Sequence, residues 1–156
     1  RGLTPDAVVI CCGGGGLSSG SAIALSAHFP DAALHTAEPA GWDDTARSLA
    51  AGERVANEGI TPSLCDALMA PIPGEITFPI NRDLMTSGAA VDDKEVIAAM
   101  LAANRSFKLV AEPGGAAALA VALAGKVPVA GRTVIAVISG GNVDPAAYAR
   151  LIGGAA

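Results

Sequence analysis

The sequence predicts an α/β fold in three layers, with a mostly parallel, twisted sheet flanked by helices. Strand-like and helical segments alternate along the chain, which is typical of a parallel sheet with right-handed crossovers. The strand-like segments are unbroken apolar runs, as expected of strands buried on both faces. The chain has 156 residues, of which 51% are hydrophobic and only 3% aromatic. This length and composition fit a single domain over residues 1–156 with a core of small side chains.

Two strands and two helices are predicted in the first third of the chain. Apolar runs mark the strands, and Pro30 and Gly52 end the helices. The predicted order is strand 6–12, helix 17–29, strand 32–39 and helix 43–51. Between residues 57 and 81 four prolines interrupt the pattern. We expect loops there, with a short helix around 64–69 and a short extended piece near Ile76.

Three further helices and a third clear strand are predicted in the second half. Asp92 and Glu95 form a capping-box pattern at a helix start. Pro113 suits the first position of the next helix and Gly125 the position just past its end, while Asp144 suits the N-cap of the last helix. The elements lie within residues 91–105 (helix), 112–125 (helix), 133–142 (strand) and 144–154 (helix).

Charge and cysteine content exclude several classes of function. The formal net charge is −5 and no run of Lys or Arg occurs, which argues against a nucleic-acid or anionic-membrane surface. No apolar stretch approaches the ~20 residues needed to cross a bilayer. The three cysteines, Cys11, Cys12 and Cys65, are odd in number and form no C-x-x-C motif. We expect reduced thiols in a soluble, cytoplasmic protein.

Four consecutive glycines, Gly13 to Gly16, follow the first predicted strand directly. Each glycine loses more backbone entropy on ordering than any other residue, so a run of four requires a reason. Successive bare N–H groups at the carboxyl end of a parallel strand and the start of a helix form an anion-binding nest. The loop therefore predicts a phosphate site. The sequence lacks the G-x-x-x-x-G-K-[ST] pattern of nucleoside triphosphate sites.

A nicotinamide-dinucleotide domain is one alternative for this loop. The strict G-x-G-x-x-G pattern fails at Ser19, but a looser pattern of Gly14, Gly16 and Gly20 remains. Glu38 ends the second predicted strand, about where a ribose-binding acid would lie.

Three other polar loops favour a different interpretation. The segment SGGN (139–142) is a second glycine loop after a buried strand, and EPGGAAA (112–118) opens a helix with small residues. The segment EPAGWDD (38–44) holds three carboxylates in seven residues. A dinucleotide domain predicts none of these three loops.

Together these motifs resemble the later half of the serine/threonine dehydratase and serine racemase family, which are pyridoxal-phosphate enzymes of fold type II. The resemblance runs from about Asp6 to Ile152 and includes the segment PGEITFPINRDL (73–84). It implies deamination of L-threonine or L-serine by β-elimination, giving a 2-oxo acid and ammonia. Serine racemase and hydroxyaspartate dehydratase are alternatives on the same scaffold, and a dinucleotide-binding module is the alternative from another class.

The resemblance also implies roles for individual residues. The cofactor's phosphate would be bound by the backbone amides of the glycine loop and the residue after it, and the ring nitrogen would face a serine hydroxyl. Two further residues would lie near the cofactor. These positions are Gly13, Gly14, Gly15, Gly16 and Leu17 for the phosphate, Ser139 for the nitrogen, and Glu112 and Gly140 nearby.

A divalent-cation site is implied as well. The family's ligands map onto Glu38, the backbone carbonyl of Trp42, and Asp44, and oxygen ligands suit Mg²⁺ or Ca²⁺. The alternative is that these acidic side chains lie at a helix N-terminus without binding a cation, an arrangement that the helix dipole favours.

The Schiff-base lysine of that family lies in a motif upstream of the glycine loop. The three lysines here, Lys94, Lys108 and Lys126, do not lie in such a motif. We therefore expect residues 1–156 to be the carboxyl-terminal part of a longer enzyme, without a catalytic residue of its own and inactive alone. We also expect it to associate with the amino-terminal half of that enzyme and to form a homo-oligomer.

Overall fold

A computed structural model describes residues 2–59 and 61–154. Four parallel strands form one sheet in the order β3-β2-β1-β4, and helices cover both faces, which confirms the predicted three-layer α/β architecture. The strands are β1 (Ala7–Cys11), β2 (Ala33–Pro39), β3 (Ser87–Val91) and β4 (Val134–Ala136). The α-helices are α1 (Gly16–His28), α2 (Asp44–Ala51), α3 (Thr77–Leu84), α4 (Asp93–Ala102), α5 (Pro113–Leu123) and α6 (Pro145–Gly153).

Strand β1 lies at the centre of the sheet, and all five of its residues are buried. Alternate side chains of a strand point to opposite faces, so β1 supplies both layers of the core. Val8 and Ile10 pack in the cluster that contains Leu34 and Met85, beneath α1 and α2. Val9 and Cys11 pack in the other cluster, against α4, α5 and α6. The unbroken apolar run reflects this burial on two sides.

Helix α5 is the innermost helix. Its sequence, PGGAAALAVAL, is apolar all round, and eight of its eleven residues are buried. A helix that is hydrophobic on every side is a buried one. Its small side chains let it pack closely between α4 and the sheet, which explains how a chain with so few aromatic residues fills its core.

The predicted helix ends are confirmed where local capping defines them. The Asp92 carboxylate accepts from Glu95 N–H at 2.9 Å, and the Glu95 carboxylate accepts from Asp92 N–H at 2.8 Å. The Asp144 carboxylate accepts from Ala147 N–H at 2.8 Å. Gly52 adopts φ 78° at the C-cap of α2.

The segment from 57 to 91 departs from the prediction. The extended piece expected near Ile76 is wrong: helix α3 begins at Thr77 and accommodates Pro79 in its first turn. The short helix around 64–69 is a single 3₁₀ turn, Asp66–Leu68. Strand β3 was not predicted, because its sequence SGAAV has small residues and only a partly buried pattern. Strand β4 is three residues long, shorter than the apolar run suggested.

Within the described residues, no helix has the length and apolar character needed to cross a membrane.

Candidate functional site

The two predicted glycine loops meet at one edge of the sheet. The carboxyl ends of β1 and β4 are neighbours in a parallel pair, so the loops that follow them converge. They line a cavity of about 320 Å³, together with the 3₁₀ turn at Ala67 and Leu68. The lining includes Gly13 to Gly16, Leu17 and Ser139, so the structure brings together all the residues that were predicted to hold the phosphate and the ring nitrogen.

Helix α3 fixes the conformation of the glycine loop. The carbonyl of Gly14 accepts from Thr77 Oγ1 at 2.6 Å and from the N–H of Gly74 at 3.3 Å. The C=O of Gly14 and the N–H of Gly15 belong to one planar trans peptide group and point in opposite directions. Since the carbonyl points to α3, the Gly15 N–H is turned away from that helix. Gly15 itself has φ 89°, a left-handed conformation that favours glycine.

Neither backbone conformation nor packing within the protein requires glycine at positions 14 and 16. Neither has a positive φ, and a Cβ built on either one would meet no heavy atom within 4 Å. The fold would therefore accept a side chain at both positions. Because both residues line the cavity, a methyl group there would occupy space that a ligand could use. The open space at both positions leaves room for a ligand against the loop.

A buried polar cluster supports the loop from beneath. Ser18 Oγ donates to the Gly15 carbonyl at 3.1 Å and accepts from Asn81 Nδ2 at 3.0 Å. Ser18 and Asn81 are both buried, 0% and 1% exposed. Thr77 and Asn81 were not predicted to serve the site. The available signal was the PGEITFPINRDL segment, which carries part of the family resemblance but whose prolines favour loop and extended chain.

The hydroxyl of Ser139 lies against a thiol at the other end of the cavity. Ser139 Oγ and Cys11 Sγ are 2.8 Å apart, although the residues are 128 positions apart in the chain. Burial raises the pKa of the Cys11 thiol, and the nearby charge of Glu112 acts in the same direction. The thiol therefore stays protonated and can act as a hydrogen-bond donor.

Glu112 and Gly140 lie beside the cavity and not in its lining. The N–H of Glu112 donates to the Gly140 carbonyl at 3.0 Å, and a Cβ on Gly140 would collide with the Glu112 carboxylate. A Cβ on Gly115 would likewise collide with the backbone of Gly140. These glycines let the start of α5 approach the SGGN loop closely. Glu112 lines a second cavity, of about 260 Å³, with Asp66 and Asp144.

The predicted cation ligands form a separate cluster at the end of β2. Glu38 is fully buried, and its two oxygens accept from the N–H groups of Thr45 (2.8 Å) and Ala46 (2.7 Å) in the first turn of α2. It therefore caps that helix from a distance. Burial raises the pKa of Glu38 to about 8, against the lowering effect of these hydrogen bonds and with a smaller raising contribution from Asp44.

Asp44 completes this acidic pair. It is fully buried, its pKa is raised chiefly by burial, and Asn57 Nδ2 donates to its Oδ1 at 2.8 Å. Its Oδ2 is buried with no hydrogen-bond partner among the described residues. Since both Glu38 oxygens already accept from α2, the unpartnered Asp44 oxygen is the carboxylate oxygen of this pair that is open to a hard divalent cation.

The third predicted ligand of this cluster is a carbonyl. In residues 2–59 and 61–154 no group of three His, Cys, Asp or Glu side chains is arranged so that it could hold a metal ion. A site at Glu38 and Asp44 would therefore need the carbonyl oxygen of Trp42. The Trp42 indole is held in place, since its Nε1–H donates to the Thr61 carbonyl at 2.6 Å.

The comparison with protein families gives a direct match. A family model described as "Pyridoxal-phosphate dependent enzyme" matches residues 1–140 of the 156. The chain belongs to this family of pyridoxal-phosphate dependent enzymes.

Curated relatives in this pyridoxal-phosphate family include both racemases and lyases. Serine racemase of Oryza sativa subsp. indica is 36% identical over 144 residues, which are 89% of this chain and 42% of the relative. L-threonine ammonia-lyase of Thermotoga maritima is 33% identical over 147 residues, which are 94% of this chain and 36% of the relative. The chain thus spans less than half the length of these curated relatives.

Solved structures of the family confirm the fold. A threonine deaminase of T.th. matches with a TM-score of 0.86 and 34% identity, covering 92% of this chain and 51% of that one. Maize serine racemase matches with a TM-score of 0.83 and 35% identity, covering 93% of this chain and 45% of the other. The sheet and its helices are those of a fold type II pyridoxal-phosphate enzyme, as the sequence motifs predicted.

Family membership also bears on the dinucleotide alternative. The strand order β3-β2-β1-β4 occurs in dinucleotide-binding folds too, so topology alone does not distinguish the two. Glu38 does distinguish them. A ribose-binding acid must be accessible to the ligand, whereas Glu38 is buried and directs both oxygens to the amides of α2. The family match and this geometry both favour pyridoxal phosphate.

Proposed function

We propose that this chain forms the cofactor-binding part of a pyridoxal-phosphate enzyme that deaminates L-threonine or L-serine by β-elimination. The observation that carries the proposal is the cavity between the two glycine loops, where Gly14 and Gly16 leave space that no part of the described chain fills. When bound, pyridoxal phosphate supplies an electron sink for bond cleavage at the substrate's α-carbon.

The glycine loop would hold the phosphate. Amides of Gly13 to Gly16 and Leu17 lie at the start of α1, where the helix dipole favours negative charge. Thr77 fixes the orientation of the central peptide group through the Gly14 carbonyl. A rigid set of donors binds a phosphate without first having to be ordered, which raises affinity.

Ser139 would face the ring nitrogen and influences the kind of reaction. A neutral hydroxyl cannot keep a proton on that nitrogen as a carboxylate would. An unprotonated ring withdraws electrons more weakly. Such a contact would suit β-elimination, in which the departing hydroxyl takes the electron pair. A serine at this position therefore favours a lyase over a transaminase.

Racemisation of serine is the second candidate. Serine racemases of rice are 36% identical to this chain over 144 residues, and L-threo-3-hydroxyaspartate ammonia-lyase of Pseudomonas sp is 35% identical over 150 residues. Racemisation and deamination would use the same cofactor-binding residues. The complete gene product distinguishes them when it is given L-serine: formation of 2-oxo acid supports the lyase, and formation of D-serine without it supports the racemase.

A divalent cation would be held by Glu38, the carbonyl of Trp42, and Asp44. The unpartnered Asp44 Oδ2 and the adjacent Glu38 carboxylate support this site. A cation there would neutralise two buried carboxylates at the start of α2. Its role would be structural, because these residues lie outside the lining of the glycine-loop cavity.

The remaining part of the enzyme would dock on the β4 side of the sheet. Among the described residues β4 pairs only with β1, so its outer edge is an unpaired strand edge. Ile135 on this strand is 42% exposed, and Ile23 on α1 is 55% exposed. We propose that an amino-terminal segment of the longer protein covers this edge and that the complete enzyme is a homo-oligomer. No turnover of threonine is expected from the 156-residue chain alone.

The binding proposal is tested on this chain with pyridoxine 5′-phosphate. This analogue carries the ring and phosphate but no aldehyde, so it cannot react with the surface lysines. We expect saturable binding by calorimetry, competition by inorganic phosphate, and a clear loss in Gly14→Ala. NADH, the matched control ligand, should not compete. Binding of NADH at the same site in place of pyridoxine 5′-phosphate would contradict the proposal.

A further inference from the structure

Cys11 and Ser139 come from distant parts of the chain and meet at the glycine-loop cavity. Cys11 ends β1, and Ser139 lies three residues past β4, so the two neighbouring parallel strands bring them to the same point. Cys11 is 2% exposed but lines the glycine-loop cavity, as Ser139 does. Their Sγ and Oγ atoms are 2.8 Å apart. The buried Cys11 thiol therefore contacts the Ser139 hydroxyl at the wall of the cavity.

The hydroxyl of Ser139 can donate its hydrogen bond in one of two directions. Ser139 has one proton and can donate it either to the thiol or to a ligand atom in the cavity. If it donates to sulfur, only its lone pairs face the ligand, and a ring nitrogen opposite must be protonated. If it accepts from sulfur, its proton is available to an unprotonated ring nitrogen. The partner of Ser139 thus influences which form of the ring is bound.

The surroundings of Cys11 permit the second direction, since the 2.8 Å contact allows either atom to donate. Burial keeps this thiol protonated by raising its pKa, and Glu112 at the start of α5 is the charged group that faces it and adds to that effect. Cys65, the other ionisable group close to Cys11, is itself a buried thiol whose pKa is raised to about 12. Among the described residues no positive group contributes to stabilising a thiolate at Cys11. A neutral S–H is consequently present to donate to Ser139 Oγ.

We propose that Cys11 is a positioning residue that donates its S–H to Ser139 Oγ and so directs the serine proton toward the cofactor's ring nitrogen. The inference rests on the proposed function, because it takes Ser139 as the residue that faces the nitrogen. It adds a second residue to that contact and assigns the direction of both hydrogen bonds. Cys11 itself acts only through Ser139.

The test uses the 156-residue chain, ring-¹⁵N-labelled pyridoxine 5′-phosphate, and three variants. Cys11→Ala removes the donor, and Cys11→Ser keeps a small donor at the same place. Cys65→Ala is the matched control, since it removes a buried thiol from the same core cluster. Calorimetry gives the affinity of each protein. The ¹⁵N shift, followed against pH, gives the pKa of the bound ring nitrogen. Thermal unfolding checks that each variant is folded.

In Cys11→Ala we expect affinity to fall ~2- to 10-fold, which is the loss of about one hydrogen bond. The pKa of the bound ring nitrogen should rise toward its value in the unbound ligand, because Ser139 Oγ is then free to accept a hydrogen bond from the protonated nitrogen. Cys11→Ser should restore both quantities to near the wild-type values, and Cys65→Ala should leave both unchanged. The pH titration is the decisive readout, since a purely structural role for Cys11 would not move it in this pattern.

The inference and the proposed function fail in distinguishable ways. If the wild-type chain binds pyridoxine 5′-phosphate and Ser139→Ala weakens binding, but Cys11→Ala moves neither affinity nor the ring pKa, only the role of Cys11 is overturned. If Ser139→Ala also has no effect, or the wild-type chain does not bind, the site itself is overturned. If Cys11→Ala does not fold, the comparison of Cys11→Ser with wild type decides: a ring pKa shifted as far as that of Ser139→Ala overturns the inference.

Discussion

Thr77 Oγ1 donates to the carbonyl of Gly14 at 2.6 Å, across 63 positions of sequence. This bond connects the start of α3 to the glycine loop and sets the direction of the peptide group between Gly14 and Gly15. It makes α3, which has no residue in the cavity lining, part of the machinery that presents amides to a phosphate.

Replacing Thr77 by valine should weaken ligand binding with little change in packing. Valine keeps the shape of threonine but cannot donate, so the Gly14 carbonyl loses one of its two partners. We expect the affinity for pyridoxine 5′-phosphate to fall ~2- to 10-fold, as for one lost hydrogen bond. Calorimetry measures this. Thr4→Val, at an exposed position ahead of β1, is the control. Unchanged affinity in Thr77→Val would show that the loop is rigid without α3.

Alanine should leave stability nearly unchanged at Gly14 and reduce it at Gly15. A Cβ on Gly14 meets nothing within 4 Å, so Gly14→Ala should leave the melting temperature nearly unchanged and reduce phosphate binding. Gly15 has φ 89°, and its Cβ would lie 2.6 Å from Thr77 Oγ1. Gly15→Ala should therefore destabilise the fold by roughly 1–3 kcal/mol. Urea unfolding measures the stability of each variant, and calorimetry measures its ligand binding. Normal binding by a folded Gly14→Ala would contradict the phosphate assignment.

The stability of the chain should decrease as pH rises from about 5 to 8. In the folded protein burial raises the pKa of Glu38 to about 8 from an ordinary value of 4.5, and the pKa of Asp44 is raised too. In that window the folded state keeps protons that the unfolded state has lost. The stabilisation that comes from these bound protons is fully present below the pKa of the unfolded state. It is lost as pH rises through the pKa of the folded state, and the free energy of unfolding falls by up to about 1.4 kcal/mol per pH unit and proton.

Urea unfolding at about pH 5.5, 6.5 and 7.5 without divalent cations measures this slope. Glu38→Gln should flatten it, whereas Glu58→Gln, at an exposed position, should not. A stability that increases across this range would mean that the hydrogen bonds from α2 outweigh the burial of Glu38.

Mg²⁺ or Ca²⁺ should raise the melting temperature, and more strongly at about pH 8.5 than at about pH 6. Protons and the cation compete for the same two carboxylates, so raised pKa values make cation binding pH-dependent. Binding to the folded state alone stabilises by about 2.7 kcal/mol at a hundredfold excess over the dissociation constant. Glu38→Ala and Asp44→Ala should abolish the response, and Asp43→Asn, next to the cluster, should retain it. Indifference of the wild-type chain to both cations would leave Glu38 as a helix cap only.

The sequence by itself determined the central strands, most of the helices and the two glycine loops. These features depend on near neighbours in the chain. The apolar run of β1 needs burial on two faces, and the caps at Asp92 and Asp144 bond to residues three positions on. A glycine run after a buried strand identifies an anion nest before any tertiary contact is known. For this reason the lining of the cavity from Gly13 to Gly16 was predictable from local pattern, whereas Leu17 and Ser139 were assigned through the family resemblance.

Only the tertiary structure decided what supports those loops. Helix α3 and strand β3 have weak local signals, and β3 is defined by its pairing with β2. Thr77 meets Gly14, and Cys11 meets Ser139, through chain separations of 63 and 128 residues. Such contacts depend on the order of strands in the sheet, which no local pattern encodes. The same holds for Glu38, which a motif could mark as an acid but which only the packing of α2 turns into a buried cap with a raised pKa.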